Sequence, residues 1–143
     1  MENMVTEPLK KGIYRRKLAK EPKTRRILVV DDEESVGVGM SGILKDAGFE
    51  AHYATGGTDA LKEVEKRPYS LIFMDMIMPG MNGLDTFRKI KGARKGINVV
   101  LFTGFFKDAD RMIYDGIREG MIDEFIRKPF FTAEIIKIAK KYA

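Results

Sequence analysis

Carboxylates, a hydroxyl and an amine follow separate apolar runs of this sequence, each where the run ends. Asp31 and Asp32 follow the first run, and Asp75 ends a longer one. Thr103 and Lys128 come at the ends of two later runs. Taken singly, each has an ordinary explanation, because Asp favours turns and helix starts and Lys is a common surface residue. Together they contain the donors of a cation site and of an oxyanion site.

The apolar runs have the composition of strands in a parallel sheet, and helical patterns separate them. The run that ends at Asp75 is apolar without interruption, as in a strand buried on both faces. Turn-forming residues follow it between positions 79 and 83. Strand and helix patterns alternate five times in residues 27–143, which predicts an α/β domain. Right-handed crossovers of this length favour a flavodoxin-like (βα)5 doubly wound parallel sheet with strand order 2-1-3-4-5.

In such a sheet the polar residues at the strand ends are expected to share one cleft, because parallel strands end at the same edge. Three carboxylates in one cleft raise one another's pKa unless a cation neutralises them. Oxygen ligands suit Mg²⁺, which keeps waters and a substrate phosphate in its coordination shell. Lys128 and Thr103 are suited to hold phosphoryl oxygens. An ionised Asp beside these cations is a competent nucleophile for phosphorus.

The composition of the chain excludes several other kinds of protein and of site. The chain has 143 residues, of which 44% are hydrophobic and 33% charged, as in a single globular domain. It has no cysteine, so disulfides, zinc–thiolate sites and cysteine nucleophiles are excluded. No apolar stretch approaches the roughly 18 residues of a membrane span and no signal-peptide core follows Met1, so we expect a cytoplasmic protein. The single histidine, His52, is expected to be an ordinary strand side chain without a nearby partner.

The positive charge is concentrated at the start of the chain. Residues 1–26 carry nine basic and three acidic side chains, whereas residues 27–143 carry 17 basic and 18 acidic ones. The net charge of +5 therefore does not mark the globular part as a nucleic-acid binder. We divide the chain into a basic, flexible extension at residues 1–25 and a domain at residues 26–143. An arm for nucleic acid or for an anionic membrane surface is the alternative for the extension.

Four motifs at the strand ends resemble those of the receiver (phosphoacceptor) domain of two-component response regulators. They are Val29-Val30-Asp31-Asp32-Glu33, the stretch from Met74 to Gly83, Leu101-Phe102-Thr103-Gly104 and Arg127-Lys128-Pro129-Phe130. The resemblance covers residues 26–143. It implies a signalling switch that takes a phosphoryl group from a histidine kinase or a histidine phosphotransfer protein. Enzymatic activity would be limited to slow self-phosphorylation and autodephosphorylation.

The resemblance also implies roles for individual acids. Asp75 would be the phosphoacceptor. Mg²⁺ would be bound by Asp32, by Asp75 and by the backbone carbonyl of Ile77. Asp31 would join this site through a water molecule.

Further positions would bind the phosphoryl group or respond to it. Thr103 and Lys128 would hold it and couple it to a conformational change. Phe125 would then be the switch aromatic that turns inward, with core packing as the alternative explanation. Ile77 and Phe105 stand two positions after the acceptor and the threonine, where the family often has polar groups that act on attacking water. Apolar side chains there predict a long-lived phosphoryl group.

The sequence also suggests how the domain passes on a signal and which other functions are possible. The resemblance implies a downstream protein target on the face of helix 4, strand 5 and helix 5, and it allows a phosphorylation-dependent dimer. The receiver could stand alone or be a module of a longer transcription regulator or hybrid histidine kinase. A Mg²⁺-dependent aspartyl-phosphate phosphohydrolase is disfavoured because Ile77 stands where its general acid is needed. A flavodoxin-like cofactor binder would need a phosphate-cradling loop where this chain has acids.

Overall fold

Strands and helices alternate along the chain, as the sequence predicts. The computed structural model describes residues 25–104, 106–122 and 124–143, leaving aside the side chains of Thr103, residues 106–109 and Phe125. The predicted extension at residues 1–25 lies outside these ranges except for Arg25. The strands are β1 (Arg26–Val30), β2 (Glu50–Ala54), β3 (Leu71–Asp75), β4 (Asn98–Thr103) and β5 (Phe125–Arg127). The helices are α1 (Glu34–Asp46), α2 (Gly57–Lys66), α3 (Gly83–Ala93), α4 (Phe106–Arg118) and α5 (Thr132–Tyr142).

The strands form one parallel sheet in the order β2-β1-β3-β4-β5. The predicted flavodoxin-like winding is therefore confirmed. In the register of the sheet, Val30 of β1 lies beside Met74 of β3, which lies beside Leu101 of β4. The residues that follow in each strand consequently reach the same edge together. We call this the carboxyl edge, and the opposite one, where the strands begin, the amino edge.

Both faces of the sheet are covered, because alternate side chains of a strand point to opposite faces. On one face Leu28 and Ile72 pack in a cluster with apolar residues of α2, α3 and α4. On the other face Val29 and Phe73 pack with residues of α1 and α5. The strands in the middle of the sheet are thus buried on both sides, which explains their uninterrupted apolar sequences. None of the described helices is both long and apolar enough to cross a membrane.

The amino edge carries a network of charged and aromatic side chains at the surface. Arg26 donates from Nε to Glu50 Oε2 at 2.6 Å and from Nη2 to Glu50 Oε1 at 3.1 Å. The Arg26 hydrogen bond, followed by one from His52, lowers the pKa of Glu50 to about 2. His52 Nε2 lies 2.9 Å from Glu50 Oε2, and its ring meets that of Tyr69 edge-on. The expectation that His52 has no partner is wrong, because Glu50 lies two residues before it on the same face of β2.

Candidate functional site

Three carboxylates meet at the carboxyl edge. Asp31, Asp32 and Asp75 each place one oxygen within 4.8 Å of the others. Asp31 and Asp75 are 0% and 4% exposed, whereas Asp32 faces the solvent. The two buried acids converge because β1 and β3 are hydrogen-bonded neighbours in the sheet. The structure therefore brings together the three acids that the sequence singled out.

Lys128, just after β5, reaches across the edge to these acids. Its Nζ lies 2.5 Å from Asp31 Oδ2 and 3.3 Å from Asp75 Oδ2. The ammonium also lies 5.1 Å from the centre of the Phe102 ring, within the range of a cation–π contact. The peptide bond between Lys128 and Pro129 is cis. One ammonium is thus shared by two buried carboxylates.

Backbone N–H groups hold the other oxygens of the buried acids. The N–H of Glu33 donates to Asp31 Oδ1 at 2.9 Å, and the N–H of Ile77 donates to Asp75 Oδ1 at 3.2 Å. Both oxygens of Asp31 are therefore engaged at short distances, while both contacts of Asp75 are longer. Asp32 makes no hydrogen bond or ion pair with any other described residue. It is the acid that remains open to a ligand.

The charges of the site are unbalanced. Burial raises the pKa of Asp75 to about 6, the Lys128 charge acts in the opposite direction, and Asp31 adds to the rise. Burial also opposes the charged form of Lys128, but the hydrogen bond to Asp31 and the charge of Asp75 outweigh it and raise the pKa of the amine. Three acids thus face one amine. A second cation would relieve the excess of negative charge.

Close backbone contacts shape the loop that follows the acceptor strand. A Cβ on Gly83 would lie 2.4 Å from the carbonyl oxygen of Asp75 and 2.7 Å from Cα of Met76. Only glycine fits there without a shift of the backbone. Asn82 caps α3 by accepting a hydrogen bond at Oδ1 from the N–H of Asp85 at 2.9 Å. The turn residues recognised in the sequence therefore fix the backbone that follows the acid.

An open cleft of about 480 Å³ lies over these groups. Its lining includes Asp32, Asp75, Ile77 and Lys128, all of them predicted site residues, and also Glu33, Gly104 and Pro129. The last three were not assigned a role from the sequence, although each adjoins a predicted residue within one of the four motifs. The donors are carboxylate oxygens, which a hard divalent ion prefers, and one carboxylate is unengaged. These residues therefore fit Mg²⁺.

Three predicted residues fall where the structure gives no side-chain description. Thr103 ends β4 beside Arg127 of β5, so its backbone lies at the carboxyl edge. Phe125 begins β5, and its side chain, like that of Thr103, lies outside the description. Phe105 is outside the described residues altogether. The roles assigned to these three residues stay predictions.

The family of the chain follows from comparison with known proteins. Residues 27–140 match the family model of the response regulator receiver domain. The chain belongs to the response regulator receiver family. This confirms the resemblance found in the sequence motifs, and it identifies a signalling module of two-component systems.

Curated relatives share this receiver over part of their length. The sensory transduction protein RegX3 of Mycobacterium tuberculosis is 31% identical over 110 residues, which make up 77% of this chain and 47% of RegX3. The DNA-binding response regulator MtrA of Mycobacterium leprae is 34% identical over 112 residues, or 78% of this chain and 48% of MtrA. The chain thus spans about half the length of the curated relatives it matches.

Solved receiver structures agree in fold. The receiver domain of NtrX from Brucella abortus superposes with a TM-score of 0.72 at 32% identity, covering 80% of this chain and 95% of that one. A CheY-like receiver domain protein from Methanospirillum hungatei gives a TM-score of 0.71 at 31% identity, covering 81% and 91% of the two chains.

Proposed function

We propose that this receiver accepts a phosphoryl group on Asp75 from the phosphohistidine of a histidine kinase or of a histidine phosphotransfer protein. The observation that carries the proposal is the placement of Asp75. It is a buried carboxylate that lines an open cleft, next to an ammonium and two further acids. Its loop is fixed by the Gly83 contact and by the N–H of Ile77, so the nucleophile has a defined position.

Mg²⁺ is the proposed cofactor. Asp32, Asp75 and the backbone carbonyl of Ile77 would hold it, with Asp31 acting through water. When bound, the ion supplies positive charge that offsets the repulsion between a carboxylate and the phosphoryl oxygens. The unengaged carboxylate of Asp32 and the excess of acid over amine support this assignment.

The transfer forms one O–P bond and breaks one N–P bond. A carboxylate oxygen of Asp75 attacks phosphorus in line with the histidine nitrogen, which takes the electron pair of the broken bond. With a proton on the other ring nitrogen, the histidine leaves as neutral imidazole. Lys128 already lies 3.3 Å from the acceptor carboxylate and would donate to a phosphoryl oxygen. Thr103 would donate to another, and Phe125 would follow its movement. Slow self-dephosphorylation would be a hydrolysis, in which water attacks phosphorus, the O–P bond to Asp75 breaks, and inorganic phosphate and the free carboxylate are released.

The consequence of phosphorylation would be a shift between two conformations. A protein target would bind the face formed by α4, β5 and α5, and a phosphorylation-dependent dimer could use the same face. The switch would act in the cytoplasm, either alone or as a module of a longer regulator or hybrid kinase. The proposed boundary at residue 26 is supported by the family match, which begins at residue 27.

Incubation with acetyl phosphate and Mg²⁺, followed by intact mass measurement, tests the acceptor. The wild type should gain the mass of one phosphoryl group, and Asp75→Asn should gain none. Asp85→Asn is the matched control, because Asp85 lies on α3 outside the cleft lining; it should behave as the wild type. Phosphorylation of Asp75→Asn, or no phosphorylation of the wild type, would contradict the proposal. Continuous turnover of acetyl phosphate would instead indicate a phosphohydrolase.

Ile77 supports a slow loss of the phosphoryl group. Its partly buried side chain lines the cleft two positions after the acceptor and offers no hydrogen bond to orient an attacking water. Phe105 is predicted to act in the same way. Ile77→Asn should shorten the lifetime of the phosphorylated protein, followed by intact mass after removal of acetyl phosphate. A wild-type half-life of seconds in Mg²⁺ would refute this assignment.

A further inference from the structure

We propose that a groove between α3 and the turn after α4 binds the phosphate chain of a polyphosphate anion, either free or as part of a nucleotide. We call it the α3–α4 groove. It has a volume of about 540 Å³ and is lined by Phe87, Arg88, Lys91, Gly92, Lys95 and Glu119. It shares no lining residue with the acceptor cleft, so the inference does not depend on the proposed phosphoryl transfer.

The acid of the groove is already neutralised by a guanidinium. Arg88 donates from Nε to Glu119 Oε1 at 2.8 Å and from Nη2 to Glu119 Oε2 at 2.6 Å. The Arg88 hydrogen bond is also the main cause that lowers the pKa of Glu119. The pair links α3 to the turn after α4, and it engages both oxygens of the carboxylate. Glu119 therefore does not neutralise the lysines of the groove.

The two lysines of the groove have no acidic partner. Lys91 Nζ lies 5.8 Å from the centre of the Phe87 ring, within the range of a cation–π contact. The same atom would lie 3.2 Å from a Cβ on Gly120, so the ammonium is close to the turn after α4. In the part of the chain that the structure describes, neither Lys91 nor Lys95 forms an ion pair or a hydrogen bond through its side chain. The lining thus has three cations and one acid, an excess of two positive charges.

The sequence around the groove adds to this charge. Residues 88–95 include five basic side chains and no acidic one, and Lys89 and Arg94 are exposed beside the lining residues. A basic run at the end of a helix is often only a solvated surface that complements the helix dipole. Here part of the run lines a cavity of the size of a small-molecule site. A concave surface with one sign of charge concentrates ligands of the opposite sign.

The donors of the groove favour phosphate over carboxylate. The planar fork of Arg is the group that matches a carboxylate at two points, and that of Arg88 is engaged by Glu119. The donors without a partner are ammonium groups, which act as point charges and bind phosphate oxygens from many directions. A short chain of phosphates carries several negative charges in a small volume. It therefore complements two excess positive charges in one cavity.

Calorimetric titration of the full chain with sodium tripolyphosphate, in EDTA and about 0.1 M NaCl, tests the groove. The wild type should bind with a dissociation constant below about 1 mM. Lys91→Gln/Lys95→Gln should bind at least about tenfold more weakly, because two unit charges beside the anion are lost. The matched control, Lys62→Gln/Lys140→Gln, removes the same charge from exposed positions of α2 and α5 and should bind as the wild type does. Equal affinities of the two double variants would overturn the inference.

A second measurement locates the bound anion in the wild type, because the basic residues 1–26 could also attract it. In amide NMR spectra, tripolyphosphate should shift the signals of Gly92 and Gly120. Gly48, which follows α1 on the other face of the sheet, is the reference and should not shift. Shifts confined to residues 1–26 would overturn the inference.

Two further titrations distinguish the sources of the negative charge. If ATP binds at least as tightly as tripolyphosphate, the ligand is a nucleotide, and if ATP binds more weakly, it is free polyphosphate. Both results support a polyphosphate site. Hexaglutamate represents an acidic segment of a partner protein. Tighter binding of hexaglutamate than of tripolyphosphate, lost in Lys91→Gln/Lys95→Gln, would refute the assignment to phosphate.

Discussion

The two edges of the sheet both carry charged networks, but the networks are built in opposite ways. At the amino edge, Arg26 meets Glu50 through two hydrogen bonds, and the carboxylate side chain is about half exposed. At the carboxyl edge, Lys128 is shared between Asp31 and Asp75, which are buried. The first network is balanced and hydrated. The second has more carboxylates than amines, and two of its acids are buried.

The pKa values of the acids in the two networks are shifted in opposite directions. The pKa of Glu50 is lowered to about 2, first by the Arg26 hydrogen bond. The pKa of Asp75 is raised to about 6, first by burial. A close cation is present in both cases, so proximity to a cation does not decide the direction. Because the acids of the carboxyl edge are buried without enough countercharge, a further cation would bind there favourably. The carboxylate of the amino edge is already neutralised by Arg26.

Removal of the cation at each edge should give the largest contrast. Lys128→Met leaves Asp31 and Asp75 buried without their partner, and we expect a loss of about 3–5 kcal/mol in the free energy of unfolding. Arg26→Met leaves a hydrated Glu50 and should cost about 1 kcal/mol. Urea unfolding at pH 7.5 with a chelator measures both. Equal losses at the two edges would show that burial does not separate the networks.

The pH dependence of stability should differ in sign between the edges. The folded-state pKa of Asp75 is raised from 3.8 to about 6, so its contribution is complete below pH 3.8 and is lost as the pH rises through 6. Relative to the wild type, metal-free Asp75→Asn should therefore gain about 2–3 kcal/mol of stability between pH 4 and pH 7.5. Urea unfolding at the two pH values measures the change.

Glu50→Gln is the control for this pH dependence. The pKa of Glu50 is lowered from 4.5 to about 2, so its contribution is present above pH 4.5 and is lost as the pH falls through 2. Because the side chain is largely hydrated, the variant should lose less than about 1 kcal/mol, without a change between pH 5 and pH 7.5. A gain for Asp75→Asn that is the same at pH 4 and pH 7.5 would contradict the raised pKa.

Substitution of two glycines in α3 tests how tightly each end of this helix is packed. Gly83→Ala, at the start of the helix by the carboxyl edge, places a Cβ 2.4 Å from the carbonyl oxygen of Asp75 and should destabilise by about 2 kcal/mol. Gly92→Ala, near the other end, meets nothing within 4 Å and should stabilise by about 0.5–1 kcal/mol through helix propensity. Thermal unfolding measures both. A neutral Gly83→Ala would mean that the acceptor loop is not tightly held.

Most of the fold could be predicted from local patterns. The uninterrupted apolar stretch before Asp75 indicates a doubly buried strand, and a parallel sheet then forces the acids at several strand ends to one edge. The turn residues around Gly83 were recognised for the same reason, since their backbone needs are local. The strands, the helices and the set of residues at the site can therefore be predicted from patterns that span only a few positions.

Pairings between distant residues could not be predicted in this way. Arg26 meets Glu50 because these residues lie opposite each other in the register of β1 and β2, and no local pattern specifies register. The preference of Lys128 for Asp31 over Asp75 depends on a side chain that crosses the sheet edge. The contact of His52 with Glu50 is different, because the i, i+2 rule for strands could have found it.

The contact between Lys128 and Asp31 joins positions 97 residues apart in the chain. Their strands do not touch, since β3 and β4 lie between β1 and β5. The pair therefore needs β5 in its place beside β4, because Lys128 follows that strand. Closing a long loop costs conformational entropy, and contacts of high sequence separation slow folding. A chain in which β5 has not docked carries the acids without the lysine, so its acceptor cleft is incomplete.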